Sequence, residues 1–194
     1  MRRQKQGTII NILGLSVGMT VCILIVLYVQ DELSFDRFHV NAEQIYRIAG
    51  EYDQGGDATN RSALTTYLLA SDLEKGFSAI EEIVRIDDFS EAFITYEDQQ
   101  YTEEDVYYVD STFLDVFSFP LVEGNAQTSL DAPNSVILSQ AMAEKYFGSS
   151  TSAVGKALTF FDTLSVMVTG VMKNMPRNSH LQADFLVSMK TIEP

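Results

Sequence analysis

Few residues in this chain are of a type that performs acid–base, nucleophilic or metal chemistry. The 194 residues include two histidines, His39 and His180, and one cysteine, Cys22. These numbers exclude a multi-histidine metal centre, a cysteine-based zinc cluster and a disulfide framework. His180 follows Ser179, but the spacing fixes no aspartate partner for a triad, and no G-x-S-x-G elbow is present. The sequence therefore gives no positive sign of an enzyme.

Acidic residues supply the remaining candidates for chemistry. The pairs Glu81–Glu82 and Asp87–Asp88 are adjacent in sequence, and neighbours on a strand point to opposite faces, so we predict solvated surfaces and not an acid–base dyad. The loop 53–57 combines aspartates and glycines without the ligand spacing of a calcium loop, and we predict a surface turn. A phosphate-binding G-x-x-x-x-G-K-[ST] motif is absent. We therefore expect no catalytic residue, no cofactor and no metal site.

The charges divide the chain into three unlike parts. Arg2, Arg3 and Lys5 are the only charged residues before Asp31. All 27 acidic residues but only ten of the 13 basic ones lie beyond residue 30, which gives the body a net charge of -17. Such a surface repels phosphate, so binding to nucleic acid is excluded.

The uncharged stretch Thr8–Val29 predicts a transmembrane helix. At about 1.5 Å per residue it reaches roughly 33 Å, which is enough to cross a hydrocarbon core. The basic residues on its N-terminal side place the N-terminus in the cytoplasm. A cleaved signal peptide lacks its A-x-A site here, and a lipoprotein anchor would need Cys22 near the end of the span and not in its middle. A buried core helix of this length without a charge is disfavoured.

Gly14 and Gly18 form a G-x-x-x-G pair inside this stretch. Small residues at this spacing let another helix approach closely, so this face is a candidate for packing against neighbouring membrane helices. Chance is an equally open explanation, because glycine is common in membrane helices.

The acidic body alternates short strands and helices without strict βαβ order, which predicts an α+β fold. Amphipathic spacing and turn residues place the elements coarsely. We predict strands at 45–52, 80–86, 135–138 and 184–189, helices at 62–75, 112–117 and 140–146, and hairpins that join 92–96 to 100–109 and 157–161 to 164–172. Gly148 is predicted to end the helix 140–146.

Several motifs together resemble a known family. The opening RRQKQGTIINILGLSVGM and the segment YVQDELSFDRFH resemble the first membrane helix and exit segment of bacterial FtsX/MacB-like ABC transporter permeases. The body resembles their MacB-like periplasmic core domain. DELSFDRFH and PRNSH are most similar to permeases of Bacteroidetes-type bacteria. The matching stretches of the body are VDSTFLDVFSFPLVEGN (109–125), SVILSQAMAEKYFG (135–148), VGKALTF (154–160) and VTGVMKNMPRNSH (168–180).

The resemblance implies a mechanical role in the bacterial inner membrane. Such permeases pair with a cytoplasmic ABC ATPase, dimerise, and transmit ATP-driven motion to a periplasmic domain that works in export or on the envelope with a periplasmic or outer-membrane partner. The ATPase would be a separate chain bound through permease helices that are missing here. Because the sequence begins almost at the span and ends at Pro194, we expect a fragment or a truncated copy. A stand-alone membrane-anchored module that senses or binds a ligand is the alternative.

These expectations divide the chain into five regions. A stiff lever is needed where the helix leaves the bilayer, and the aromatic residues Phe35 and Phe38 are predicted to pack there against the domain. The regions are a cytoplasmic basic head (1–7), a transmembrane helix (8–30), a membrane-exit segment (31–41), a MacB-like periplasmic core domain (42–190) and a truncated link to the missing helices (191–194).

Overall fold

The computed structural model describes residues 2–53, 59–89, 91–149 and 152–193. Its contacts divide the chain into two compact units. The helical unit consists of Met1–Phe38 together with the tripeptide Asn178–His180, and the sheet unit consists of His39–Arg177 and Leu181–Pro194. Each unit is described separately below.

The helical unit is built on one long helix, α1 (Arg2–Glu32). Within the described residues, Ile10–Glu32 is the one segment that is long and apolar enough to cross a membrane, with a mean hydropathy of 2.6. None of this window is buried inside the protein, as suits a helix whose apolar side chains face lipid. The helix also includes Arg2, Arg3 and Lys5, because arginine and lysine are good helix formers.

The sheet unit contains short elements joined by brief loops. The helices are α2 (Leu69–Gly76), α3 (Phe113–Val116) and α4 (Gln140–Phe147), and single 3-10 turns lie at Ala42–Gln44 and Met189–Thr191. The strands are β1 (Gly50–Asp53), β2 (Thr59–Ser62), β3 (Ile86–Phe89), β4 (Ala92–Tyr96), β5 (Gln99–Glu103), β6 (Val106–Val109), β7 (Leu121–Gly124), β8 (Ser135–Ser139), β9 (Ala157–Phe160), β10 (Leu164–Met172) and β11 (Phe185–Ser188).

Nine of the strands described form one mixed sheet. Its order is β3-β6-β11-β8-β10-β9-β4-β5, and β7 pairs with β10 beside that path. The pairs β8–β10 and β6–β11 are parallel, and the other pairs are antiparallel. The strands β1 and β2 form a separate hairpin. This architecture confirms the predicted α+β fold with one N-terminal apolar helix.

The hydrophobic core lies along the centre of the mixed sheet. Every residue of β8 and β11 is buried, and Phe113, Phe160 and Phe185 are at most 1% exposed. The helix α4 follows β8 directly and packs Ala143 and Tyr146 into this core. Continuous apolar strands such as SVILS and FLVS are expected where both faces of a sheet are covered.

Local contacts fix both ends of α4, and the sequence predicted the one at its C-terminal end. The Ser139 hydroxyl accepts a hydrogen bond from the Met142 amide at 3.2 Å, which satisfies one of the unpaired amides of the first turn. Gly148 ends the helix with φ +72, a left-handed conformation that glycine adopts without a Cβ penalty.

Some predicted elements are wrong in extent. Only Ile86 of the predicted strand 80–86 is in a strand, and residues 45–49 are outside β1. The helix predicted from Ser62 begins at Leu69 instead, and the Ser62 hydroxyl accepts the Leu64 amide in a local turn that competes with helix. The stretch 100–109 is two strands, because Asp105 turns the chain at φ +56 and β6 leaves the hairpin to pair with β11.

Candidate functional site at the membrane exit

The chain leaves α1 through a series of tight turns. The Ser34 amide and hydroxyl both donate to the Asp31 carbonyl oxygen, at 3.0 and 2.7 Å. Asp36 then adopts φ +56, a left-handed conformation that aspartate tolerates better than most residues with a side chain. This sharp change of direction presents the backbone and the carboxylate of Asp36 to the tripeptide Asn178–His180.

Residues 34–36 and 178–180 hold each other through a set of hydrogen bonds that we name the exit clasp. The Asp36 amide donates to the Asn178 carbonyl oxygen at 2.9 Å. The Asn178 side-chain amide donates to the Ser34 carbonyl oxygen and hydroxyl, at 3.1 and 3.2 Å. The His180 amide donates to Asp36 Oδ1 at 3.0 Å, and His180 Nδ1 lies 2.6 Å from Asp36 Oδ2. Both backbone and side chains therefore contribute, which fixes the geometry in several directions.

The Asp36 carboxylate is the charged centre of the exit clasp. Partial burial alone would raise its pKa, but the hydrogen bonds it accepts from His180 and Ser179 outweigh burial and hold the pKa below its ordinary value of 3.8. Asp36 is therefore ionised at neutral pH and can only accept hydrogen bonds, so the facing Nδ1 of His180 must carry a proton.

The aromatic residues predicted to form a lever lie within or next to the exit clasp. Phe35 is half-buried, and its ring centroid lies 4.9 Å from that of His180. Phe38 is also half-buried. Gly14 and Gly18 lie further back on α1, and apart from the adjoining residues and backbone of α1 itself no atom lies within 4 Å of the place where a Cβ would stand. Both glycines therefore leave room for another helix, and their role stays a prediction.

The sheet unit begins with a second set of contacts, which we name the His39 anchor. His39 is 5% exposed and accepts the Ser118 amide on Nδ1 at 3.1 Å, while the Ser118 hydroxyl accepts the Val40 amide at 3.0 Å. The His39 ring lies edge-on to Phe117 and Phe119, with centroids 5.3 and 5.1 Å away. The anchor thus ties the first two residues of the sheet unit to the loop that follows α3.

Two further polar clusters have a structural role in the sheet unit. The Arg85 guanidinium donates hydrogen bonds from two nitrogens to the Asp110 carboxylate, at 2.6 and 2.9 Å, and one to Glu193 at 2.6 Å. Glu103, which is 6% exposed, accepts hydrogen bonds from Tyr146 and Lys145, both at 2.6 Å. Such geometry offsets the cost of burying charge. In each cluster the carboxylates are occupied by strong donors.

The remaining acidic residues can be compared with the solvent exposure that the sequence predicted for them. Glu81, Glu82, Asp87 and Asp88 are all exposed, which confirms the expected solvated surfaces. Residues 54–57 of the predicted surface turn 53–57 lie outside the described residues. Within the described residues, no group of three histidine, cysteine or acidic side chains is placed to hold a metal ion.

Sequence reasoning missed the partner of His180. Asp36 lies 144 residues away in sequence, so no local spacing could indicate the contact. The available signal was that DELSFDRFH and PRNSH are the two motifs that together resemble permeases of Bacteroidetes-type bacteria. The structure brings Ser34, Phe35 and Asp36 of the first motif together with Asn178 and His180 of the second.

Comparison with known proteins identifies the family. Residues 8–193 match the MacB-like periplasmic core domain. The chain belongs to this family. The predicted kinship to FtsX/MacB-like permeases is thereby confirmed, and the family is one of transporter permease domains and not of enzymes. None of the curated proteins compared with the chain is significantly similar to it.

Three solved structures share the fold of this MacB-like core domain. A domain of a protein from Porphyromonas gingivalis that is described as a permease has 21% identity and a TM-score of 0.63, over 75% of this chain and 62% of that one. The periplasmic region of MacB from Actinobacillus actinomycetemcomitans has 17% identity and a TM-score of 0.52, over 64% and 56%. The extracellular domain of the ABC-type transporter YknZ from Gram-positive bacteria has 23% identity and a TM-score of 0.50, over 66% and 64%. This chain thus spans less than two thirds of each.

Proposed function

We propose that this chain is the periplasmic portion, with its membrane anchor, of an ABC transporter permease subunit. In this proposal it couples the ATP-driven motion of a cytoplasmic ATPase to export or to other work on the cell envelope. Membership in the MacB-like core domain family and the apolar helix Ile10–Glu32 support the assignment.

The charge pattern supports an orientation with the N-terminus in the cytoplasm. Arg2, Arg3 and Lys5 precede the span, whereas all 27 acidic residues follow it. Basic residues are retained on the cytoplasmic side of membrane helices. We therefore place 1–7 in the cytoplasm, 8–30 in the bacterial inner membrane, 31–41 at the exit and 42–190 in the periplasm, with 191–194 leading to further permease helices. A reporter enzyme that works only after export, fused to the C-terminus, tests this orientation.

The exit clasp is the observation that carries the mechanical proposal. A helix transmits displacement only if the segment that leaves it is held by directional contacts and not by a loose linker. The hydrogen bonds of Ser34 and Asp36 supply such contacts, and they reach residues 178–180, which lie on the chain between β10 and β11. Phe35 adds a ring contact to the same tripeptide. Displacement of α1 would then reach a segment that lies in sequence between β10 and the fully buried strand β11.

The remaining partners follow from the same proposal. A cytoplasmic ABC ATPase would bind through permease helices outside this sequence, and a second permease copy would complete the transporter. Gly14 and Gly18 would let a neighbouring membrane helix approach α1 closely. A periplasmic or outer-membrane protein would receive the motion.

Substitutions in the exit clasp test the proposal. Asp36→Asn keeps the left-handed turn but removes the charge, and His180→Ala removes the ring. In the permease that contains this chain, both changes should reduce ATP-driven periplasmic work while ATP hydrolysis and complex assembly continue. Glu51→Gln is the matched control, because it breaks an exposed ion pair of 3.3 Å with Arg61 on the hairpin β1–β2. Full activity of both clasp variants would refute the coupling role.

A further inference from the structure

An open groove beside α2 is left unused by the proposed function. It has a volume of about 450 Å³ and is lined by α2, the segment 80–85, residues 110–112 and Glu193, all of which belong to the sheet unit. We name it the α2 groove. The inference below depends on neither the exit clasp nor the coupling role.

The wall of the groove next to α2 exposes apolar side chains that a folded domain normally covers. None of the residues of α2 is buried. Leu68 and Tyr67, which line the groove immediately before the helix, are 69% and 47% exposed. Ile80 and Ile83, which also line the groove, are half-buried. Exposed apolar surface concentrated at one concave place is typical of an interaction site.

The charge around the groove is strongly negative. Five carboxylates and one guanidinium line it. The guanidinium of Arg85 is already held by Asp110 and Glu193, so it offers little attraction to an anionic ligand. Within the described residues, the carboxylates of Glu74, Glu81 and Glu82 form no ion pair, and all three side chains are exposed. The apolar wall thus has an acidic rim.

The apolar wall and the acidic rim together indicate which kind of ligand the α2 groove binds. A second copy of the same face would bring like charges together, and the body as a whole carries a net charge of -17. We propose that the α2 groove docks a segment of a partner protein that presents apolar side chains flanked by lysine or arginine. The apolar side chains of the partner segment pack against the wall around Leu68, and its lysine or arginine side chains face Glu74, Glu81 and Glu82.

A labelled peptide of alternating leucine and lysine serves as the probe. It is titrated onto the full chain in nanodiscs of zwitterionic lipid, and empty nanodiscs measure the background. A serine–lysine peptide of equal charge should bind about tenfold more weakly, because it lacks the apolar contacts. Leu68→Ser should weaken the leucine–lysine peptide by about the same factor.

Two pairs of acids provide a matched test of the rim. Glu81→Gln with Glu82→Gln removes two charges at the groove, and Asp87→Asn with Asp88→Asn removes two exposed charges on β3, which does not line it. The proposal expects severalfold weaker peptide binding for the first pair and unchanged binding for the second. Circular dichroism verifies that each variant is folded.

Four results would overturn the proposal. Equal weakening by both acid pairs would mean general attraction to an acidic body. Equal binding of the two peptides, or no effect of Leu68→Ser, would mean that the apolar wall is not used. Concentration-dependent self-association of the full chain that Leu68→Ser abolishes would assign the groove to a second copy instead.

Discussion

The exit clasp makes a direct prediction about hydrogen exchange of its own amides. The His180 amide donates to Asp36 Oδ1 and the Asp36 amide donates to the Asn178 carbonyl oxygen, so in the native chain both should exchange more slowly than free amides. Asp36→Asn converts charge-assisted bonds into neutral ones, which are roughly half as strong. The backbone bond of residue 36 survives in this variant, since it does not use the carboxylate.

The size of the expected change in exchange rate follows from the solvent exposure of the His180 and Asp36 side chains. The His180 side chain is 74% exposed and that of Asp36 is 36% exposed, so solvent screens their attraction, and about 0.5–1 kcal/mol is expected from it. Exchange of the His180 amide in Asp36→Asn should therefore accelerate about two- to fivefold. Exchange of the residue 36 amide should change less.

The assay is amide exchange followed by NMR or mass spectrometry on the full chain in nanodiscs. The amides of the His39 anchor, such as that of Ser118, are an internal reference, because they do not contact the carboxylate. A His180 amide that exchanges at the free rate in the native chain would refute the reasoning. An unchanged rate in Asp36→Asn would show that the charge of the carboxylate adds nothing to the hydrogen bond.

Three further predictions concern the sheet unit. Phe147 is half-buried, and its ring lies edge-on to that of Tyr96 with centroids 4.8 Å apart. Phe147→Ala should therefore lower the free energy of unfolding by about 1–3 kcal/mol in chemical denaturation, against about 3–5 kcal/mol for Phe185→Ala, whose ring is 0% exposed. Equal losses would contradict the burial pattern. Gly124 has φ +100, and a Cβ there would lie 2.6 Å from a backbone oxygen, so Gly124→Ala should lower the melting temperature by several degrees, and an unchanged value would exclude the close approach. Burial and three neighbouring carboxylates raise the pKa of Asp105 above its ordinary value of 3.8. The charge of Asp105 therefore destabilises the folded state at neutral pH, and this effect disappears as the pH falls below 3.8. Asp105→Asn should thus raise the melting temperature at pH 7 and not near pH 3.

Strong local patterns predicted the parts of the fold that depend on local physics. The uncharged stretch Thr8–Val29 predicted a long apolar helix, and its length with no charge disfavoured a buried core helix. The strand–helix unit 135–147 has a capping serine at its junction and Gly148 at its end, so the prediction agrees with β8 and α4 to within one residue at each element's end.

Elements that depend on tertiary pairing could not be predicted in the same way. The stretch 100–109 is rich in strand formers, but its division at Asp105 depends on a left-handed residue and on pairing with β11, which lies about 80 residues further along. Residues 80–85 have strand-like composition and yet line the α2 groove as coil. In both regions the neighbouring elements, and not local propensity, decide the structure.

The candidate site was only partly predictable for the same reason. Position alone singled out Phe35 and Phe38, because only residues 31–39 can connect the span to the body. The contact of Asp36 with His180 joins residues 144 apart in sequence, and no periodicity or spacing rule reaches that far. The sequence linked the two residues only through the two motifs that contain them, which both resemble permeases of Bacteroidetes-type bacteria.

In the proposed coupling, the hydrogen bonds of the exit clasp transmit the displacement of α1, and the covalent connection through residues 37–41 alone does not. Flexible Gly–Ser insertions at two places separate these routes. An insertion after Leu33 lies between α1 and the clasp, whereas an insertion after Arg37 lies beyond the clasp and leaves its hydrogen bonds intact. An insertion between Glu97 and Asp98, at the tip of the hairpin β4–β5, is the control.

The measurement is periplasmic work per ATP hydrolysed in the permease that contains this chain. We expect the insertion after Leu33 to abolish this ratio and the insertion after Arg37 largely to preserve it. Adding His180→Ala to the second insertion should then reduce the ratio, because the ring contacts of the exit clasp are lost. Loss of coupling from the insertion after Arg37 alone, or full coupling with the insertion after Leu33, would contradict the claim.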